Sequence, residues 1–220
     1  MTETEIVGVT GAMGTTGTAV PNRNHPPKGA KLWKSPIKNI DDVERIANIL
    51  RPCARNHAIF LIGVNTNLRA SDLCALTVGD VRGLKVGDAL MLKDQKPNRY
   101  VIRAANKTLV GAVQRLLAEH PRAGFASAPL FLSQRGGPIE VSSLSRLVKS
   151  WCKRAKLRGR YGSHSLRKTW AYHALNTFGV EFHIVSAALG HRDHGTTLTY
   201  LGIPVKAIKA AFMNELGGPR

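Results

Sequence analysis

The stretch Gly162 to Tyr200, GSHSLRKTWAYHALNTFGVEFHIVSAALGHRDHGTTLTY, decides how the rest of the chain is read. His164 and Arg167 stand three residues apart, a spacing that on a helix puts imidazole and guanidinium on one face. His191 precedes Tyr200 by nine residues, in a segment rich in Gly and Thr. A cation and an imidazole on one face can hold a phosphate and move protons, while a phenol on a separate short element can act as nucleophile. This is equipment for handling a phosphodiester.

Upstream, Thr66-Asn67-Leu68-Arg69-Ala70-Ser71-Asp72-Leu73 supplies another arginine. With these segments the chain resembles the catalytic core of the tyrosine recombinases, the phage integrase family. His164-x-x-Arg167 is similar to its H-x-x-R box, Leu189-Gly190-His191 followed by Tyr200 to its L-G-H…Tyr box, and the Thr66 segment to its first box, usually T-G-L-R-x-S-E-L. One box alone is a weak signal; three in the right order make a specific one. The resemblance runs from about Lys38 to the C-terminus.

The resemblance implies a site-specific DNA strand transfer (integration, excision or inversion) in which Tyr200 attacks a backbone phosphate and leaves a 3′-phosphotyrosyl bond. Arg69 and Arg167 then clamp the nonbridging oxygens, His164 relieves the phenol of its proton and His191 hydrogen-bonds the phosphate. The family carries its catalytic lysine on a β-hairpin. Here Ala89 to Lys93 and Arg99 to Arg103 read as strands around a polar tip containing Pro97. Lys93 is the matching residue and Lys96 its rival, and both also fit as solvated turn lysines. Lys96, Arg99, Lys168 and Arg192 are further expected contacts to DNA. The expected fold is mainly α with a small antiparallel β-sheet. Two other readings stay open: a type IB topoisomerase with the same chemistry, and a DNA-binding regulator that keeps the scaffold without it.

Composition points to the same partner. Thirty-two Lys and Arg against fourteen Asp and Glu give the 220 residues a formal charge of +18, which self-repels unless a polyanion is bound, and double-stranded DNA is the expected one. The basic residues are spread along the chain, unlike a single membrane-surface helix. The apolar run Ala58 to Val64 is too short to span a bilayer, and the start lacks the pattern of a signal peptide. Three cysteines without C-x-x-C spacing suggest neither disulfides nor zinc. The expected location is the cytoplasm of a prokaryotic cell, at the nucleoid. No cofactor is expected, because a phosphotyrosyl bond conserves the energy of the phosphodiester.

Residues 1–38 read as a flexible tail, with Gly, Thr and Pro in quantity and basic Arg23, Lys28, Lys31, Lys34 and Lys38. Residues 39–220 read as the catalytic domain. Family members usually carry a further DNA-binding domain ahead of this core, for which the tail is too short; in this the chain resembles the minimal recombinases that invert fimbrial promoter segments. Helices are expected from Asp41, from Arg55 to Val64, after Asn106 and from Val141. Asn67 suits a left-handed turn that presents Arg69, with Asp72 in reach of the guanidinium. Ser163 is expected to cap the helix of His164 and Arg167. His173, His183 and His194 read as structural. Pro204 opens a last amphipathic helix. The resemblance implies that this helix docks on a neighbouring protomer, giving dimers or tetramers on DNA, with accessory DNA-bending proteins as further partners.

Overall fold

A computed structural model describes residues 33–90, 103–190 and 194–201. Nine helices lie among them: α1 Ile40–Leu50, α2 Ala54–Thr66, α3 Ala70–Ala75, α4 Val78–Val81, α5 Lys107–Glu119, α6 Val141–Arg154, α7 Ser163–Asn176, α8 Phe182–Ala188 and α9 His194–Leu201. Side-chain caps explain three of their starts. The Asn39 side chain accepts the Asp41 N–H and caps α1, and the Asn106 side chain accepts the Leu109 N–H and caps α5. α4 opens on a reciprocal capping box between Thr77 and Asp80. Pro52 and Pro121 follow the ends of α1 and α5, where a residue without an N–H cannot continue the ladder.

The helix α2 is apolar on nearly all sides, and it is the one the others surround: α1, α3, α5 and α7 all pack on it. Ile59, Phe60 and Ile62 on α2, Ile46 and Leu50 on α1, Leu109 and Val113 on α5, Leu144 and Trp151 on α6 and Leu166 on α7 form the main core. A second, smaller cluster joins Ala171 and Ala174 of α7 to Val185 and Leu189, with Tyr200 packed against it. The α8 and α9 helices therefore ride on the second half of α7, outside the main core.

The expected antiparallel sheet needs correction. Among the described residues there is no strand, and antiparallel pairing is limited to the isolated bridges Thr77↔Pro129, Ala89↔Ala104 and Leu132↔Pro138. Two of these end on a proline, which has no N–H to extend a ladder. The third stands where the hairpin was expected to begin, with the Leu90 N–H donating to the Arg103 carbonyl at 2.8 Å, and the rest of the hairpin, with Lys93, Lys96 and Arg99, lies outside the described residues. The described fold is helical.

Residues 33–38, assigned to the tail from the sequence, run as a strap along α7. The Ser35 N–H donates to the Arg160 carbonyl at 2.8 Å, and the Ile37 N–H to Thr169 Oγ1 at 2.9 Å. His173 Nε2 donates to the Ile37 carbonyl at 3.0 Å while its Nδ1 accepts from Thr177 Oγ1 at 2.8 Å, which is the structural use expected of this histidine. The Ile37 side chain is fully buried in the main core.

Candidate active site

The helix that carries His164 and Arg167 starts at Ser163 itself, one residue earlier than a cap at Ser163 would set it. Gly162, not Ser163, is the cap residue: its carbonyl accepts the Ser165 N–H at 2.8 Å, and its own N–H donates to Ser165 Oγ at 3.1 Å. A Cβ on Gly162 would come within 2.8 Å of Ser145 Oγ and 3.3 Å of Lys34 Cε, so the close approach of α6 and the strap selects glycine there.

Arg167 is 5% exposed, and its guanidinium is the joint of the site. Nη1 donates to the Asn67 carbonyl at 2.6 Å and Nη2 to the Leu189 carbonyl at 2.5 Å. Asn67 ends α2 in the left-handed region, φ 56° and ψ 24°, as a turn of this kind requires. Its Nδ2 donates to the Ala188 carbonyl at 2.6 Å. Thus the turn before Arg69 and the turn before His191 are tied to one buried side chain and to each other. The three segments singled out in the sequence meet here.

Arg69 is the exposed cap residue of α3. The expected pair with Asp72 is absent among the described residues: Asp72 accepts the Ser71 hydroxyl at 3.1 Å, and its charge acts on Arg167 instead. Burial lowers the Arg167 pKa from its ordinary value, as do the nearby charges of Arg69 and Arg103, while Tyr200 and Asp72 act in the opposite sense. Arg103 was not singled out in the sequence. It is the last residue of the expected hairpin, and only the fold brings its charge to Arg167.

Tyr200 lies on α9, which a buried hydrogen bond between Thr197 Oγ1 and Ser186 Oγ, 2.8 Å long, fastens to α8. Burial pushes the phenol up to about 12, although the charge of Arg167, a hydrogen bond from it, and the charge of Arg69 pull the other way. A phenol so placed holds its proton at neutral pH. His164 faces solvent at the start of α7. Partial desolvation, followed by the charges of Lys168, Arg167 and Lys34, lowers its pKa, so the imidazole is neutral and able to accept a proton.

Lys168 is 6% exposed and does not project into solvent. Its Nζ sits 3.0 Å from the centroid of the Trp33 ring and 4.9 Å from that of Tyr200. Burial lowers its pKa to about 8. Neither Trp33 nor Lys34 was singled out as a site residue, since nothing local marks them; both reach the site through the strap. Of the expected site residues, Arg69, His164, Arg167, Lys168 and Tyr200 are brought together, whereas Lys93, Lys96, Arg99, His191 and Arg192 lie outside the described residues. Among the described residues no group of His, Cys, Asp or Glu is arranged to hold a metal ion. A cleft of about 570 Å³ lined by Arg55, Arg135 and Arg146 contains none of the motif residues.

Comparison with known proteins places the chain in a family. The chain is 28% identical over 186 residues to tyrosine recombinase XerC of Halalkalibacterium halodurans, covering 80% of this chain and 60% of that one. It is 28% identical over 189 residues to tyrosine recombinase XerA of Pyrococcus horikoshii, covering 84% and 63%. The chain thus spans about 60% of the length of such relatives. In fold it is similar to the crystal structure of XerA recombinase, with a TM-score of 0.66 at 19% identity over 84% of this chain and 68% of that one. XerH site-specific recombinase in a post-cleavage complex with palindromic difH substrate gives 0.64 at 21% identity, covering 82% and 53%. The model of the phage integrase family matches residues 39–204, a run that takes in every one of the motif segments tied together at Arg167, and the chain belongs to that family.

Proposed function

We propose that the protein is a site-specific DNA recombinase that breaks and rejoins duplex DNA through a covalent bond to Tyr200. The observation that carries this reading is the tie made by Arg167, which gathers the Arg69 turn, the turn before His191 and the phenol around one buried guanidinium. The relatives named tyrosine recombinases support it.

In this reading Tyr200 Oη attacks phosphorus, the bond to the 5′ oxygen breaks, and a 3′-phosphotyrosyl ester and a 5′-hydroxyl result. The phenolic proton passes to neutral His164. The leaving oxygen takes its proton from Lys93 or Lys96. Arg69 and Arg167 stabilise charge growing on the nonbridging oxygens, with His191 as a further donor. Reversal of the same steps by another 5′-hydroxyl rejoins the strand. Self-association on DNA, by docking of the segment after Pro204 on a second copy, and help from DNA-bending proteins complete the proposal.

The test is a library of nicked duplexes of random sequence, in which a cleaved strand end diffuses away and traps the protein, followed by sequencing of DNA that stays bound under denaturing conditions. The wild-type chain should yield adducts, and Tyr200→Phe should yield none while binding DNA with unchanged affinity, because only a hydroxyl is lost. Adducts with Phe at this position would remove Tyr200 from its role. A wild-type chain that binds DNA but yields no adduct across the library would leave a DNA-binding protein without chemistry.

A further inference from the structure

The attacking group of a covalent mechanism has to be held by more than its hydroxyl, since rotation of the ring about its own side-chain bonds swings the oxygen away from in-line geometry. On α7, Arg167 addresses the hydroxyl end of Tyr200. The next residue, Lys168, addresses the ring face, with its ammonium 4.9 Å from the centroid. The same ammonium also lies over the Trp33 ring, 3.0 Å from its centroid. A lysine only 6% exposed would be a costly charge if left alone, and among the described residues no carboxylate forms an ion pair with it. Two π faces are what compensate the desolvation.

Trp33 is held by neighbours in sequence. The strap is fixed along α7 by the Ser35 to Arg160 and Ile37 to Thr169 hydrogen bonds and by His173 on the Ile37 carbonyl, and Lys38 stacks on Tyr172 at 5.8 Å. The strap and α7 therefore form one body, and α9 presents Tyr200 to it.

We infer that Lys168, in contact with the rings of both Trp33 and Tyr200, is a positioning residue that fixes the ring of the attacking tyrosine, and that Trp33, which precedes the family-matched run 39–204, belongs to the same device. This rests on Tyr200 being the attacking group. It gives Lys168 a task different from contacting a DNA phosphate. A phosphate contact contributes to affinity, whereas a ring support contributes to the rate once DNA is bound.

The experiment uses the full chain and a nicked duplex bearing the sequence recovered from the adducts, with single-turnover cleavage measured as a function of DNA concentration. Lys168→Met, close in shape but uncharged, should lower the saturating rate by about tenfold or more and leave the half-saturating DNA concentration within about twofold. Lys168→Arg, which keeps a cation for the rings, should recover most of the rate. Trp33→Leu should resemble Lys168→Met, and Trp33→Phe should resemble the wild type. Wild-type rates in Lys168→Met and Trp33→Leu would overturn the inference. So would a raised half-saturating concentration at unchanged rate, or losses that Lys168→Arg and Trp33→Phe fail to recover. If Lys168→Met does not fold, the Trp33 pair decides alone, because Trp33 is partly exposed and lies outside the core clusters. Tyr200→Phe is run in parallel. An adduct that persists there sinks the assignment of Tyr200, while an adduct lost there beside a normal Lys168→Met sinks only this inference.

Discussion

His164 stands among three cations, Lys168, Arg167 and Lys34, and these together with partial desolvation set its proton affinity below the ordinary histidine value. The sign follows directly. A base whose pKa is lower folded than unfolded resists charging in the fold, so its contribution to stability is complete above about 6.5 and is lost as pH falls through the lowered value. For the proposed chemistry the same shift keeps the imidazole ready to accept a proton at neutral pH. An arriving phosphodiester acts in the opposite direction, and raises the basicity of the imidazole at the moment the phenol must lose its proton. The ring-proton NMR titration of His164 in the DNA-free protein should therefore show a midpoint below about 6.5. Lys34→Met, which removes one of the three cations, should move it upward. A midpoint above the ordinary value in the wild type would contradict this account of the site.

At the scale of elements, the crossing of α2 and α7 sets where Arg167 lies. A Cβ on Gly63 of α2 would meet Leu166 Cδ1 at 2.6 Å, Cβ at 3.2 Å and Cγ at 3.3 Å, so the whole Leu166 side chain is in the way, not only its tip. Gly63→Ala gains about 1 kcal/mol of helix propensity but overpacks the crossing by ~1–3 kcal/mol. The expected net effect is a loss of stability in urea unfolding. Cleavage should fall further than stability does, because Leu166 is the neighbour of Arg167. A gain in stability would show that α7 can slide without cost. The longer helices α1, α2, α5, α6 and α7 were legible in the sequence because their faces are local facts: Asn106 caps as a polar residue before an apolar period does, and Asn67 bends where its side chain tolerates a positive φ, whereas the short α4, α8 and α9 and the Asn39 cap were not read. The start of α7 was misread by one residue because the preference for Gly162 comes from Ser145 and Lys34, which are distant in sequence. The strap was read as tail for the same reason. Pro36 and the absence of periodicity hide it, and its Ile37 to Thr169 bond spans 132 residues. The expected sheet rested on two short runs, 89–93 and 99–103, around a polar tip containing Pro97, and the described pairing there ends at a single bridge.

For the molecule as a whole, a formal charge of +18 has consequences that no single contact carries. Each phosphate neutralised releases counterions, so affinity for duplex DNA should fall by about 0.9 log units per log unit of salt for every phosphate contacted. Binding titrations between low and physiological salt measure the slope. A nearly flat line would contradict DNA as the partner of this charge. Motif order in the sequence foretold which residues gather, since Arg69, His164, Arg167 and Tyr200 do converge. It did not foretell the means. Two backbone carbonyls, those of Asn67 and Leu189, hold the guanidinium, and carbonyls leave no trace in a pattern of side chains.

That means of holding changes how mutations at the site are to be interpreted. Arg167 bridges the end of α2 to the end of α8, so Arg167→Ala removes a tie between elements as well as a charge from the phosphate site, and a lysine cannot span both carbonyls as the planar fork does. Lost cleavage at position 167 thus reports architecture and chemistry in one number. The hydroxyl of Tyr200 is different: Phe keeps the ring that packs on α7 and α8, and its silence, set beside intact DNA binding, speaks for the chemistry alone.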